Sequence, residues 1–169
     1  MLAPDEDEKR AAVWSITSGK GGVGKTTLSL NLGIALSRLG SQVLLIDADL
    51  GLANVPILLG ISPEWTLEDI LRGQVSAYDV TTEGPEGLTI LPAASGISET
   101  EAWRPEDRSR LAEELGRLER GFDVILIDTA PSLETSTCNA IVAADFLLIP
   151  VQTETGALEG LATLYEVYE

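Results

Sequence analysis

Short apolar, β-branched runs recur along the chain at residues 11–17, 42–47, 88–93, 123–128 and 146–151. Each is nearly all apolar, the pattern of a strand covered by helices on both faces. Between them the spacing changes to a helical one. Leu28, Leu32, Ala35, Leu36 and Leu39 form one apolar stripe that stops at Gly40, predicting a helix directly after a glycine-rich loop. Residues 104–121 predict a second: Pro105 and two acids open it, Leu111, Leu115 and Leu118 share a face, and Gly121 closes it. A third runs from Ser132 to about Ala144, a fourth from about Gly156 to the end, and a short one covers 66–73. Strands alternating with helices imply right-handed crossovers, an α/β fold with a mostly parallel sheet of about five strands, and ligand chemistry at the carboxyl ends of those strands.

Composition narrows this picture without changing it. A chain of 169 residues with 44% hydrophobic content suits one core, burying roughly 70% of the surface the unfolded chain exposes. Residues 1–11 read as an acidic, solvated tail and 12–169 as the folded domain. The start, MLAPDEDEKR, is acidic where a secretory leader is basic, and no apolar run approaches the roughly 18 residues of a membrane span; a cytoplasmic location is expected. The formal charge of −16, from 27 acidic and 11 basic residues, argues against a broad nucleic-acid footprint, which lysine and arginine must supply. With one cysteine, Cys138, and no histidine, an imidazole zinc site, a serine–histidine–aspartate triad and an internal disulfide are excluded.

The candidate chemistry begins at Gly19–Thr26, GKGGVGKT, which matches the phosphate-loop pattern G-x-x-x-x-G-K-[ST] between a predicted strand and helix. Glycines let backbone amides turn inward around an anion and the helix N-terminus adds positive potential. Lys25 would reach the β- and γ-phosphates, and Thr26 would ligate Mg²⁺. The competing reading is a merely flexible glycine turn. Such a site also needs carboxylates at neighbouring strand ends, because a hard cation takes oxygen ligands and a water must be oriented. Asp47 and Asp49 end one apolar run and Asp128 ends another; the alternative for each is ordinary capping of the next segment.

The stretch from Lys20 to Thr27, KGGVGKTT, resembles the deviant Walker A box of the ParA/MinD family of P-loop ATPases. DADLGLAN (47–54), LIDTAPSL (126–133) and LLIPVQTETGALEGL (147–161) resemble, in order, that family's switch I, its Walker B with switch II, and the following strand and helix. The resemblance implies a P-loop NTPase three-layer sandwich, ATP and Mg²⁺ as ligands, and a phosphate site made by Gly19, Lys20, Gly21, Gly22, Val23, Gly24, Lys25, Thr26 and Thr27. It further implies that Lys20 reaches phosphates held by a second copy in an ATP-bridged homodimer. Asp49 would orient the attacking water; Thr26, Asp47 and Asp128 would support the metal and its waters.

Within the family, residues 47–61 and 88–97 look closest to the MinD-like regulators of flagellar number, whereas 150–161 looks more like the chromosome and plasmid partition proteins. The N-terminal segment shows no glutamine-bearing activator helix of the flagellar kind. Family members continue through further strands, so the resemblance predicts either a C-terminally truncated ATPase or a short member with an incomplete base pocket. The last segment carries acids and no lysine or arginine, which suits a sheet-covering helix better than a membrane anchor. DNA or membrane contact would then need regions outside this chain. Two function classes stay open: an ATP-hydrolysing switch that positions or segregates a cargo with a protein activator, and a nucleotide-responsive adaptor with little turnover. A single cysteine cannot supply its half of a dimer-bridging four-thiolate cluster, so Cys138 reads as a buried small apolar residue; Trp14, Trp65 and Trp103 read as packing or surface residues.

Overall fold

A computed structural model describes residues 10–49, 52–94, 105–131 and 135–153. The expected tail (through residue 9), Trp103 and the expected C-terminal helix lie outside the described residues. Strand β1 (Ala12–Ile16) leads through the glycine loop to α1 (Lys25–Arg38) and β2 (Val43–Ala48). Three short helices follow, α2 (Val55–Leu59), α3 (Leu67–Leu71) and α4 (Ala77–Val80), then β3 (Thr82–Glu83) and β4 (Thr89–Leu91). Helix α5 (Pro105–Glu119), β5 (Val124–Thr129), α6 (Thr135–Ala143) and β6 (Phe146–Leu148) complete the described order. Six strands form one sheet in the order β3-β4-β2-β5-β1-β6. All pairings are parallel except β3 with β4. The sixth strand, absent from the sequence expectation, is the two-residue β3; Thr82 and Glu83 are too few and too polar to register as an apolar run.

The all-apolar strands are explained by two covered faces. Along β2, Val43 and Leu45 pack into the core beneath α1 and α2 with Leu30, Val55, Leu88 and Leu126. Leu44 and Ile46 point the other way, toward Leu67, Ile70, Val80, Leu111 and Leu118 of α3, α4 and α5. Each fully buried leucine or isoleucine contributes roughly 1.5–3 kcal/mol. Helix α6 shares the second face with α5, the two flanking a cavity of about 610 Å³ lined by Val13, Ile46, Leu111, Leu115, Ile125 and Ala140. Arg10 and Ala11, inside the span expected as tail, pack onto the fold: Ala11 is buried, and Arg10 pairs with Glu119 and Asp145 at 3.3 and 3.4 Å.

The α5 stripe is buried as expected, with Leu111 and Leu118 in the core and Leu115 against it. The α1 stripe requires a correction. Its fully buried residues are Lys25, Ser29, Leu30 and Gly33; of the expected stripe, Leu32 and Leu36 pack against the core while half-buried, and Leu28 and Leu39 are exposed. A Cβ on Gly33 would lie 2.9 Å from Leu88 Cδ1, so α1 makes its closest approach to the sheet along a line in which Ser29 and Gly33 flank Leu30. An apolar-periodicity reading does not see that line. Cys138 is likewise half-buried rather than buried, and Trp14 packs at the β6 edge, its ring centroid 5.4 Å from that of Phe146.

Candidate functional site: a phosphate loop between three strand ends

The alternation that builds the core also builds the site. Asp47 continues the Val43–Leu45 side of β2, Asp128 continues the Leu126 side of β5, and the two are register partners on adjacent strands. Both therefore emerge at the carboxyl end of the sheet on the face that carries α1, where the loop from β1 turns into the helix.

That loop can make its turn because Gly22 and Gly24 adopt φ of 75° and 89°, a region other residues enter at a cost. Gly24 caps α1, leaving the first-turn N–H groups directed out of the helix end. Lys25 is buried, and its Nζ donates to Ser18 Oγ at 3.0 Å. Ser18 Oγ in turn donates to the Lys20 carbonyl at 2.6 Å. One hydroxyl thus ties the second lysine of the loop to the backbone of the first, while the Lys20 side chain is exposed. Burial lowers the Lys25 pKa, and the charges of Asp128 and Asp49 oppose that fall.

The carboxylates have distinct settings. Asp47 is fully buried; its Oδ1 accepts the Asp49 N–H at 3.2 Å and its Oδ2 the Val55 N–H at 3.1 Å. It organises the loop from β2 to α2, and burial lifts its pKa from 3.8 to about 7, backbone hydrogen bonds opposing and the nearby Asp128 and Asp49 charges reinforcing. Asp49 accepts the Leu52 N–H at 3.1 Å and interacts with Lys25, Asp47 and Asp128. Asp128 is also raised by burial, held down by hydrogen bonds from Thr26 and Ser29 and by the Lys25 charge. Its Oδ1 accepts from Ser29 Oγ at 2.9 Å; its Oδ2 is buried with no partner among the described residues.

The structure thus gathers Lys25, Thr26, Asp47, Asp49 and Asp128 around the loop Gly19–Thr27 and leaves Lys20 at the surface. Among the described residues no three acidic, cysteine or histidine side chains converge as a metal cage. The donor set instead suits a hard cation held by one hydroxyl, by a carboxylate with an uncommitted oxygen, and by ligands brought with a phosphate. Ser18 and Ser29 were missed by the sequence reading. Ser18 precedes the motif, and Ser29 carries only the signal of lying three residues after Thr26 on one helix face.

A family model described as an AAA domain matches residues 11–169. The chain is 42% identical over 142 residues to the antiactivator FleN of Pseudomonas aeruginosa, covering 84% of this chain and 51% of FleN. It is 42% identical over 167 residues to the chromosome partitioning protein ParA of Caulobacter vibrioides, covering 93% of this chain and 62% of ParA. The chain therefore spans between half and two thirds of these relatives. Among solved structures, cobyrinic acid a,c-diamide synthase from Mycobacterium smegmatis with a bound ATP analogue and magnesium superposes with a TM-score of 0.81. It is 32% identical, and the match covers 94% of this chain and 67% of the synthase.

Proposed function

We propose that this chain, which belongs to the ParA/MinD family of P-loop ATPases, binds ATP with Mg²⁺ and hydrolyses it as a switch whose ATP form is a homodimer. The observation that carries the reading is the convergence of buried Lys25, Asp49 and Asp128 with half-buried Thr26 on one glycine loop at the carboxyl ends of β1, β2 and β5. Lys25 exchanges Ser18 for phosphate oxygens, the exposed amides of the α1 first turn take the remaining charge, and Thr26 with Asp128 would hold Mg²⁺, with Asp47 fixing the loop beside them. When bound, Mg²⁺ neutralises charge on the β- and γ-phosphate oxygens. Asp49 orients the water that attacks the γ-phosphorus. Lys20, exposed on the same loop, serves the nucleotide of the second copy, so that turnover follows assembly.

The names of the relatives, an antiactivator, a partitioning protein and septum-site determinants, support the wider role in which the cycle positions or segregates a cellular cargo; a cytoplasmic setting and a protein activator complete the proposal. No helix among the described residues is long and apolar enough to cross a membrane. Light scattering with and without Mg²⁺ and ATP tests the reading. A doubling of mass is expected, retained in Asp49→Ala, which loses turnover, and lost in Lys20→Ala, which still binds nucleotide. A mass unchanged at saturating ATP would remove the dimer from the proposal, and normal hydrolysis by Asp49→Ala would move the water-orienting role elsewhere.

A further inference from the structure

Ser29 is wholly buried on α1, one turn beyond Lys25 and on the helix face of Thr26. Its Oγ lies 2.9 Å from Asp128 Oδ1 and 3.0 Å from the Lys25 carbonyl. A hydroxyl has one proton, and an ionised carboxylate only accepts. The charge-assisted bond to Oδ1 is the stronger of the two and, together with the Thr26 hydroxyl that also hydrogen-bonds this carboxylate, fixes its rotation. The second oxygen, Oδ2, is then left buried with no partner among the described residues, a costly state unless something binds there. We propose that Ser29 is a positioning residue: by holding Oδ1 it commits one oxygen of Asp128 to the protein and reserves the other for a divalent cation and its water shell beside Thr26. The proposal rests on the Mg²⁺–nucleotide reading of the loop.

The test measures ADP affinity calorimetrically in EDTA and in Mg²⁺ for the wild-type chain, Ser29→Ala, Asp128→Asn and the double variant. Ser29→Ala is expected to lose about tenfold of the tightening that Mg²⁺ gives, the size of one hydrogen bond to a charged group, with its affinity in EDTA changed by less than about twofold. In the Asp128→Asn background the same substitution should cost nothing further, which a purely structural serine would not show. Equal losses in EDTA and Mg²⁺, or a full loss persisting in the Asp128→Asn background, would overturn the role. If Ser29→Ala does not fold, Ser29→Cys, similar in volume and a weak donor, enters the same comparison. A wild-type chain with no Mg²⁺ response overturns the parent reading as well; a wild-type response untouched by Ser29→Ala overturns only the serine's part.

Discussion

A carboxyl group wholly inside a fold is expensive when ionised, and Asp47 shows by how much. Folding lifts its pKa from 3.8 to about 7, so between those values the folded chain holds the proton that the unfolded chain has released. Stability from this group falls as pH rises through that window and levels off above it. The full cost is about 4 kcal/mol, of which about 3 develops between pH 5 and 8. In EDTA without nucleotide, urea midpoints should therefore drop more steeply from pH 5 to 8 for the wild-type chain than for Asp47→Asn, which cannot ionise. Parallel pH profiles would show that Asp47 does not titrate in this range. The sequence located Asp47 because it closes an apolar run before another acid. That its two oxygens close the loop onto Asp49 and Val55 was not legible, since such bonds depend on where a distant backbone N–H returns.

At the scale of the element, the same substitution has opposite signs on two helices. Alanine is favoured over glycine within a helix by roughly 1 kcal/mol. On α1, however, a Cβ at Gly33 would lie 2.9 and 3.2 Å from the two δ-methyls of Leu88, a side chain with no exposure, and 3.5 Å from Leu126. Displacing a packed leucine costs about 1–3 kcal/mol. Gly33→Ala should lose about 1 kcal/mol by urea denaturation. Gly116 of α5, where a Cβ meets nothing within 4 Å, should gain about 0.5–1 kcal/mol as alanine. A gain at both positions would show that Leu88 yields without cost. This pair also marks what the sequence could reveal: α5 buries the leucines its periodicity names, because it packs through large side chains. Helix α1 makes its tightest approach where a side chain is absent, so its apolar stripe named residues at the margin of the buried face, Leu32 and Leu36 packed against the core and Leu28 and Leu39 outside it, while its ends were still placed by the loop and by Gly40.

For the whole molecule the strand–helix alternation was enough to give a doubly covered parallel sheet, because each strand needs a partner layer on both sides. Among the described strands only β3, held by two cross-strand positions, escaped, along with the short helices α2 and α4. What alternation does not report is the long-range charge. A formal −16 on 169 residues is a large excess of one sign, and the ion pairs among the described residues sit at the surface with at least one partner well exposed, where each contributes little. Self-repulsion therefore outweighs specific pairing, and it is screened once the Debye length falls from about 30 Å at 0.01 M salt to about 3 Å at 1 M. The nucleotide-free chain should consequently unfold at higher urea concentration as sodium chloride rises across that range at about pH 7.5. A midpoint that falls instead would mean that attractive pairs such as Arg10 with Glu119 and Asp145 dominate the balance. Adding salt then loosens the fold rather than relieving it, and Arg10→Ala should reproduce part of that fall at low salt.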